Sequence, residues 1–377
     1  MNKKDLNEIR RRFQVDRNNI SRLQGCYVNS QGEAVSVFAD TLIGMPKEEA
    51  EKYLALFKKA LSGTEDQNLR NIDFDPERMA DSEAYHLLCS MKDTALKDDE
   101  VVNEFFRRVM AATPLNEPYL ILLAHDGYDI PYRHSDGHPA QDAPTEIFHY
   151  IVGCICPVKM TKPALCYDAG ENIFRSKEAD WVVNAPEIGF MFPAFESRSV
   201  NVCRALYYTR DTASNHEELT GALFDASLSM PAAAQKEAFQ QIMQDTLGDE
   251  CSYEVMQAVH EQVMEKIEER KAEKNPEPVR VNRYDMTDML KECGVSEEKQ
   301  AAFAQQFGQH FGEKADVAAA NIVSPKQFEV RTPSVQIRVA PERSDLVETR
   351  QIDGHTYILI RADEGQVEVN GVNVRMQ

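Results

Sequence analysis

YLILLAHDGYDIPYRHSDGHPAQD (residues 119–142), EIFHYIVGCICPVKMTKPALCYD (146–168) and WVVNAPEIGFMFPAFESRSVNVCRALYYTR (181–210) decide how this chain is read. Apolar β-formers come in blocks, and turn residues separate them. The pattern predicts strands near 119–125, 146–157, 163–168, 188–195 and 199–209. No helical stretch intervenes, so successive strands are expected to pair antiparallel. Four of the nine histidines, four of the eight cysteines and the single tryptophan fall between residues 118 and 210.

Upstream, Leu6, Ile9 and Phe13 recur at helical spacing. Residues 26–38 alternate around Asn29-Ser30-Gln31-Gly32, a hairpin signal. Pro46 opens a helix that closes at Gly63, and helices follow over 81–91 and 98–112, with Asp98 as N-cap. These helices are expected to cover one face of the sheet. Downstream, helical patterning fills 215–227, 231–247 and 252–274, and Asn275-Pro276-Glu277-Pro278 stops it. Two shorter helices near 284–292 and 296–311 precede alternating strands with Asp353-Gly354 and Asn370-Gly371 turns, read as a small β-meander. The expected fold is α+β. It divides into an N-terminal α+β domain (1–210), a helical region (211–275), and a C-terminal helical hairpin plus small β domain (276–377).

With 42% hydrophobic residues in 377, ordinary cores are affordable, and no apolar run reaches the roughly 18 residues of a membrane span. The first residues carry no apolar stretch after their basic patch, as a secretory signal would. The eight cysteines are spread out and sit mostly in apolar runs, the pattern of reduced, buried thiols in a cytoplasmic protein. The net charge is -20. Residues 1–25 oppose it: Lys3, Lys4, Arg10, Arg11, Arg12, Arg17 and Arg22 against Asp5, Glu8 and Asp16, seven minus three, or +4. Such a segment either docks on the protein's own acidic surface or contacts an acidic partner or nucleic acid.

The candidate chemistry gathers at one turn. His125 and Asp126 end a strand, and Asp129, His134 and His138 follow. His125, Asp126 and Asp129 are the candidate catalytic residues, and His125, Asp126, His134 and His138 the candidate metal ligands. Cys154 and Cys156 share a strand face but sit too far apart along the chain direction for easy zinc ligation, so they read as core. His149 has the opposite parity and is expected to face away from them. No nucleophile turn, phosphate loop or dinucleotide fingerprint occurs, and no cofactor is expected beyond a possible metal ion. Thr287–Gly308 has helix-turn-helix length, but its second helix is acidic and lacks arginine, which favours a packing hairpin.

The blocks MNKKDLNEIRRRF, GCYVNSQGE, EEAEKYLALFKKALSGT, YLILLAHDGYDIPY, ICPVKMTKPALCYD, DWVVNAPEIGFMFPAFESRSVN and ALYYTRD resemble the bacterial "domain of unknown function 4317" family along the whole chain. That resemblance implies a bacterial cytoplasmic protein and carries over no catalytic residue. VSEEKQAAFAQQF followed by strands ending QIDGHTYILI is similar in layout to bacterial 37-kilodalton nucleoid-associated proteins, which implies a nucleic-acid-associated role. Three functional expectations follow. The first is a non-enzymatic binding protein, nucleoid- or nucleic-acid-associated through the basic N-terminus. The second is a metal-dependent hydrolase at the His125–His138 turn. The third is a protein–protein interaction scaffold, with homo-oligomerisation included and no membrane partner.

Overall fold

The computed structural model describes residues 1–20, 22–113, 115–130, 146–226, 228–273, 277–362, 367–369 and 372–374. The chain forms two compact units, Met1–Pro231 and Ala232–Gln377.

The first unit begins with α1 (Lys3–Arg10), the hairpin β1 (Leu23–Val28) and β2 (Ala34–Asp40), α2 (Lys47–Ala60) and β3 (Leu69–Asp73). Helices α3 (Glu83–Asp93) and α4 (Asp99–Ala112) lead into two long strands, β4 (Tyr119–Ile130) and β5 (Glu146–Met160). Short strands β6 (Ala164–Asp168), β7 (Ile173–Lys177) and β8 (Trp181–Val183) follow. Then come β9 (Ile188–Phe192), β10 (Ala194–Glu196), β11 (Ser199–Asn201), β12 (Arg204–Thr209) and α5 (Glu217–Phe224). The main sheet runs β2-β1-β4-β5-β9-β12-β3, every neighbour antiparallel, and β8 joins the far end of β5.

The antiparallel α+β expectation therefore holds, but the helices cover both faces and not one. Leu120, Leu122 and Ala124 of β4 share a core with Leu6, Ile9 and Phe13 and with Leu54 and Phe57 of α2. Tyr119, Ile121 and Leu123, the alternate residues, share a second core with Leu88 of α3, Val102, Phe105 and Val109 of α4 and Leu219 and Leu223 of α5. This is why residues 119–124 read as a continuous apolar run. Each side chain of the strand enters one core or the other, as strands buried on both faces require. The helices are formed for this purpose. In α4, Asp98 accepts hydrogen bonds from Glu100 N and Val101 N at 3.0 and 3.3 Å, and the buried stripe repeats at helical spacing. Gly189 of β9 lets α2 come close, since a Cβ there would lie 2.5 Å from Ala60 Cβ.

The boundary of this unit also differs from the expected 210. Helix α5 belongs with the sheet because Leu219, Leu223 and Phe224 complete the second core. Arg70 of β3, itself buried, ties down the following segment by donating to Ser229 O (2.7 Å) and to Asn215 Oδ1.

The second unit contains α6 (Ala232–Leu247), α7 (Tyr253–Lys271), β13 (Arg280–Val281), α8 (Arg283–Glu292), α9 (Glu297–Phe311), β14 (Val317–Ala318) and α10 (Ala319–Ile322). Phe239, Ile242, Val263, Leu290, Phe303 and Phe307 share one core, which joins the expected helical middle to the helical hairpin. The hairpin packs, as its acidic second helix suggested. Gln300 is buried and donates to Val295 O at 2.6 Å. The remaining strands are β15 (Phe328–Arg331), β16 (Gln336–Val339), β17 (Val347–Ile352), β18 (His355–Ile360), β19 (Val367–Val369) and β20 (Val372–Val374). Among the described residues they pair two by two into separate ladders, where a continuous meander was expected.

Candidate functional site

The β4–β5 ladder carries the residues that sequence singled out, and strand parity divides them. Asp126 lies opposite Tyr150, and Gly127 lies opposite His149. Asp126 thus faces the α1 side, while His125 and Asp129, on the alternate positions, face the other way. His125 and Asp126 do not converge. His134 and His138 lie outside the described residues. Among the described residues, no group of three or more His, Cys, Asp or Glu side chains is placed to hold a metal ion.

Asp126 is fully buried and takes four hydrogen bonds. Arg12 Nε donates to Oδ2 at 2.7 Å and Arg12 Nη2 to Oδ1 at 3.0 Å. Asn19 N donates to Oδ1 at 2.8 Å, and Tyr150 OH to Oδ2 at 2.7 Å. The Arg12 guanidinium also stacks over the Tyr128 ring at 4.7 Å and donates to Gly127 O. Burial opposes the charge on Arg12, but the hydrogen bonds and charge of Asp126 outweigh it and push the guanidinium pKa up. Burial, then the Asp126 carboxylate, drives the Tyr150 phenol well above its ordinary value. Tyr128 is pushed up to about 12 by burial and by Glu8, to which it donates at 2.6 Å. Arg198 holds the same Glu8 at 2.6 and 2.9 Å. This network fastens the N-terminal segment to the sheet. A carboxylate whose lone pairs are all engaged offers nothing to a substrate, so the network is a clasp.

The clasp also decides the fate of part of the basic N-terminus. Arg12 is occupied internally, and Arg22 bridges Asp99 at 2.8 Å. Lys3, Lys4, Arg11 and Arg17 are exposed, Arg10 is half-buried, and none of these five makes an ion pair among the described residues.

On the opposite face, the His125 and His149 rings stack with centroids 5.4 Å apart. His125 is held down to about 4 by burial, and then by His149, against the opposing charge of Asp126. His149 does point away from the cysteines, as parity requires. Cys154 and Cys156 lie buried on the Asp126 side with their sulfurs 3.7 Å apart, and burial raises the Cys154 thiol well above its usual value. Such thiols are inert core. Cys166 and Cys203 correct the expectation of buried cysteines, since both are exposed.

The structure adds a feature that the strand reading missed. Beyond Val158, β5 leaves the layered body, and Met160 is 55% exposed. The hairpin β6–β7 then projects with nearly every side chain exposed. Leu165 (72% exposed), Tyr167 and Phe174 (68%) share one of its faces. Tyr167 and Phe174 form a cross-strand ring pair at 5.3 Å. Strand β8 returns along β5, placing Trp181 (54% exposed) opposite Met160. Thr161 N donating to Asp180 O and Asp180 N donating to Thr161 Oγ1, at 2.8 and 2.9 Å, close the base of this arm. Alternation of Leu165, Tyr167 and Phe174 about Gly170 was the available signal for the hairpin. Nothing in the sequence distinguishes such alternation on an arm from alternation over a core.

A seven-stranded antiparallel path held between two helical layers, with a clasped N-terminus and a projecting apolar arm, defines an α+β protein. The chain belongs to the family described as Domain of unknown function (DUF4317), whose model matches residues 1–372 and so spans both units. No curated protein and no solved structure matches it. The nucleoid-associated likeness has no support here. No helix among the described residues is long and apolar enough to cross a membrane.

Proposed function

We propose that this chain is a non-enzymatic binding protein whose contact element is the arm formed by the end of β5 with β6, β7 and β8. One observation carries the reading: Met160, Leu165, Tyr167, Phe174 and Trp181 are all more than half exposed within 22 consecutive residues of chain. Single exposed apolar residues need no explanation, but a concentrated set marks an interaction surface. Aromatic residues and Met are also the types enriched where proteins meet. A free two-stranded hairpin is marginal in water, so packing against a partner stabilises the arm as well.

The test is site-specific photo-cross-linking in the producing cells. A photoreactive phenylalanine analogue replaces Phe174, and a second protein carries it at Tyr284, equally exposed but in the other unit. A discrete adduct at Phe174, absent at Tyr284 and lost when Leu165→Ser is added, is the expected result. Equal labelling at both positions, or none at Phe174, refutes the reading.

A further inference from the structure

Building on the reading of the arm as the contact element, we infer that its occupant is a second copy of this chain, joined arm to arm about a two-fold axis. Charge is the first argument. Residues 159–183 contain Lys159, Lys162, Arg175 and Lys177 against Asp168, Glu171, Glu178 and Asp180, four of each sign. The arm is therefore neutral on a chain of net charge -20. A partner selected by electrostatic attraction would settle on the acidic surface elsewhere. An apolar, neutral patch is matched by an apolar, neutral patch, and the arm of another copy is one. It is also a place where two bodies of charge -20 meet without setting acid against acid.

Area and symmetry agree. At their observed exposures, Tyr167, Phe174 and Trp181 alone offer roughly 350 Å². Met160, Leu165 and Val183, which shares the face of Trp181, bring the patch toward the roughly 800 Å² that each partner gives to an interface of standard size. In a two-fold interface, the same surface serves both copies, so each residue that contacts another is contacted by it in turn. The face bearing Leu165, Tyr167 and Phe174 meets that condition by packing against its own equivalent. The two edges of the β6–β7 ladder are unpaired among the described strands, so an approach along either edge is open as well.

Sedimentation velocity of the full chain from about 1 to 100 μM tests the inference, with emission recorded on the same samples. Trp181 is the only tryptophan, so its emission reports the arm directly. The expected result is a dimer that dissociates on dilution, with Trp181 emission shifting to the red as the monomer appears. Leu165→Ser with Phe174→Ser is expected to stay monomeric and red-emitting throughout, with an unchanged far-ultraviolet dichroism spectrum. A monomer at 100 μM overturns the second-copy inference. So does a dimer that survives the double substitution, because its interface then lies elsewhere. Blue emission from a monomeric species also overturns it, by showing the arm covered within one chain. The cross-linking experiment separates the two levels: an adduct at Phe174 with a different protein refutes the second copy and leaves the arm as a contact element, whereas no adduct removes both.

Discussion

Replacing Arg12 with Ala tests whether the Asp126 network holds the N-terminal segment in place. Asp126 is fully buried and the Arg12 side chain is 12% exposed, so the pair is largely out of water. Removing one partner of a buried pair costs about 3–5 kcal/mol, because the remaining charge stays buried without compensation. Here Asn19 N and Tyr150 OH still serve the carboxylate, which argues for the lower part of that range. Loss of the stack on Tyr128 adds about 0.5–1 kcal/mol. The expected destabilisation is therefore about 3–4 kcal/mol. Amide hydrogen exchange of peptides from β4 and β5, read by mass spectrometry, assigns the effect to the first unit. In the equilibrium regime, exchange there should accelerate about 10²–10³-fold, since each 1.4 kcal/mol is a factor of ten. Arg11→Ala, at an exposed position without an ion pair among the described residues, is the control and should stay within about 0.5 kcal/mol. Adding Asp126→Asn to Arg12→Ala should cost less than the sum of the two single changes, because the second removes the charge that the first stranded. If Arg12→Ala accelerates exchange less than tenfold, no more than Arg11→Ala does, the clasp is not what fastens this segment.

Two further outcomes are expected. His125 has a pKa of about 4 in the fold against an ordinary value of 6.5, so below 6.5 the unfolded chain binds a proton that the folded chain refuses; stability is intact above pH 6.5 and falls as pH drops toward 4. The full interval corresponds to roughly 3 kcal/mol, and partial exposure reduces it to about 1–2 kcal/mol, so urea titrations of wild type and His125→Phe should diverge by that amount between pH 7 and 4; parallel curves refute the assignment. Gly189→Ala sets a methyl group against Ala60 at 2.5 Å and should lower stability by about 1–3 kcal/mol in thermal melts, with partial recovery when Ala60→Gly is added; an unaffected single variant shows that α2 can withdraw freely.

The fold was legible where periodicity and punctuation agree. Asp98 before Val101, Phe105, Val109 and Met110 gave α4, and Asn29 through Gly32 gave the β1–β2 turn, where Asn29 Oδ1 accepts from Gln31 N and Glu33 N at 2.9 Å. The two-sided covering of the sheet was harder to see. Period-two reading says that Leu120 and Ile121 point opposite ways, but not that helices wait on both sides. Strand β3 escaped because Leu69–Asp73 is short and polar, and it earns its place at the sheet edge only by pairing with β12. The clasp was legible in part. The charge of the N-terminal segment predicted docking on an acidic surface as one outcome, but Arg12 and Asp126 are 114 residues apart and no local pattern joins them. His125 and Asp126 diverge for a reason already present in the sequence: adjacent residues of an unbulged strand cannot share a face.

The same geometry explains why the arm is the surface to pursue. An antiparallel sheet often leaves one face to solvent, and here helices occupy both. Strand β5 stays buried from Tyr150 through Val158, then is exposed at Lys159 and Met160. Past that point the chain keeps the residue types of a core strand, but among the described residues no helical layer covers them. Leu165, Tyr167 and Phe174 would be ordinary interior residues if a layer covered them, and Trp181 opposite Met160 would be an ordinary cross-strand pair. Within unit 1, the helices that could provide such a layer are already committed: α1 and α2 to one core, and α3, α4 and α5 to the other. Among the described residues of unit 1 no helix is left to cover the arm, so the inferred cover is a different body, and the neutrality of residues 159–183 on an acidic chain favours one with the same surface.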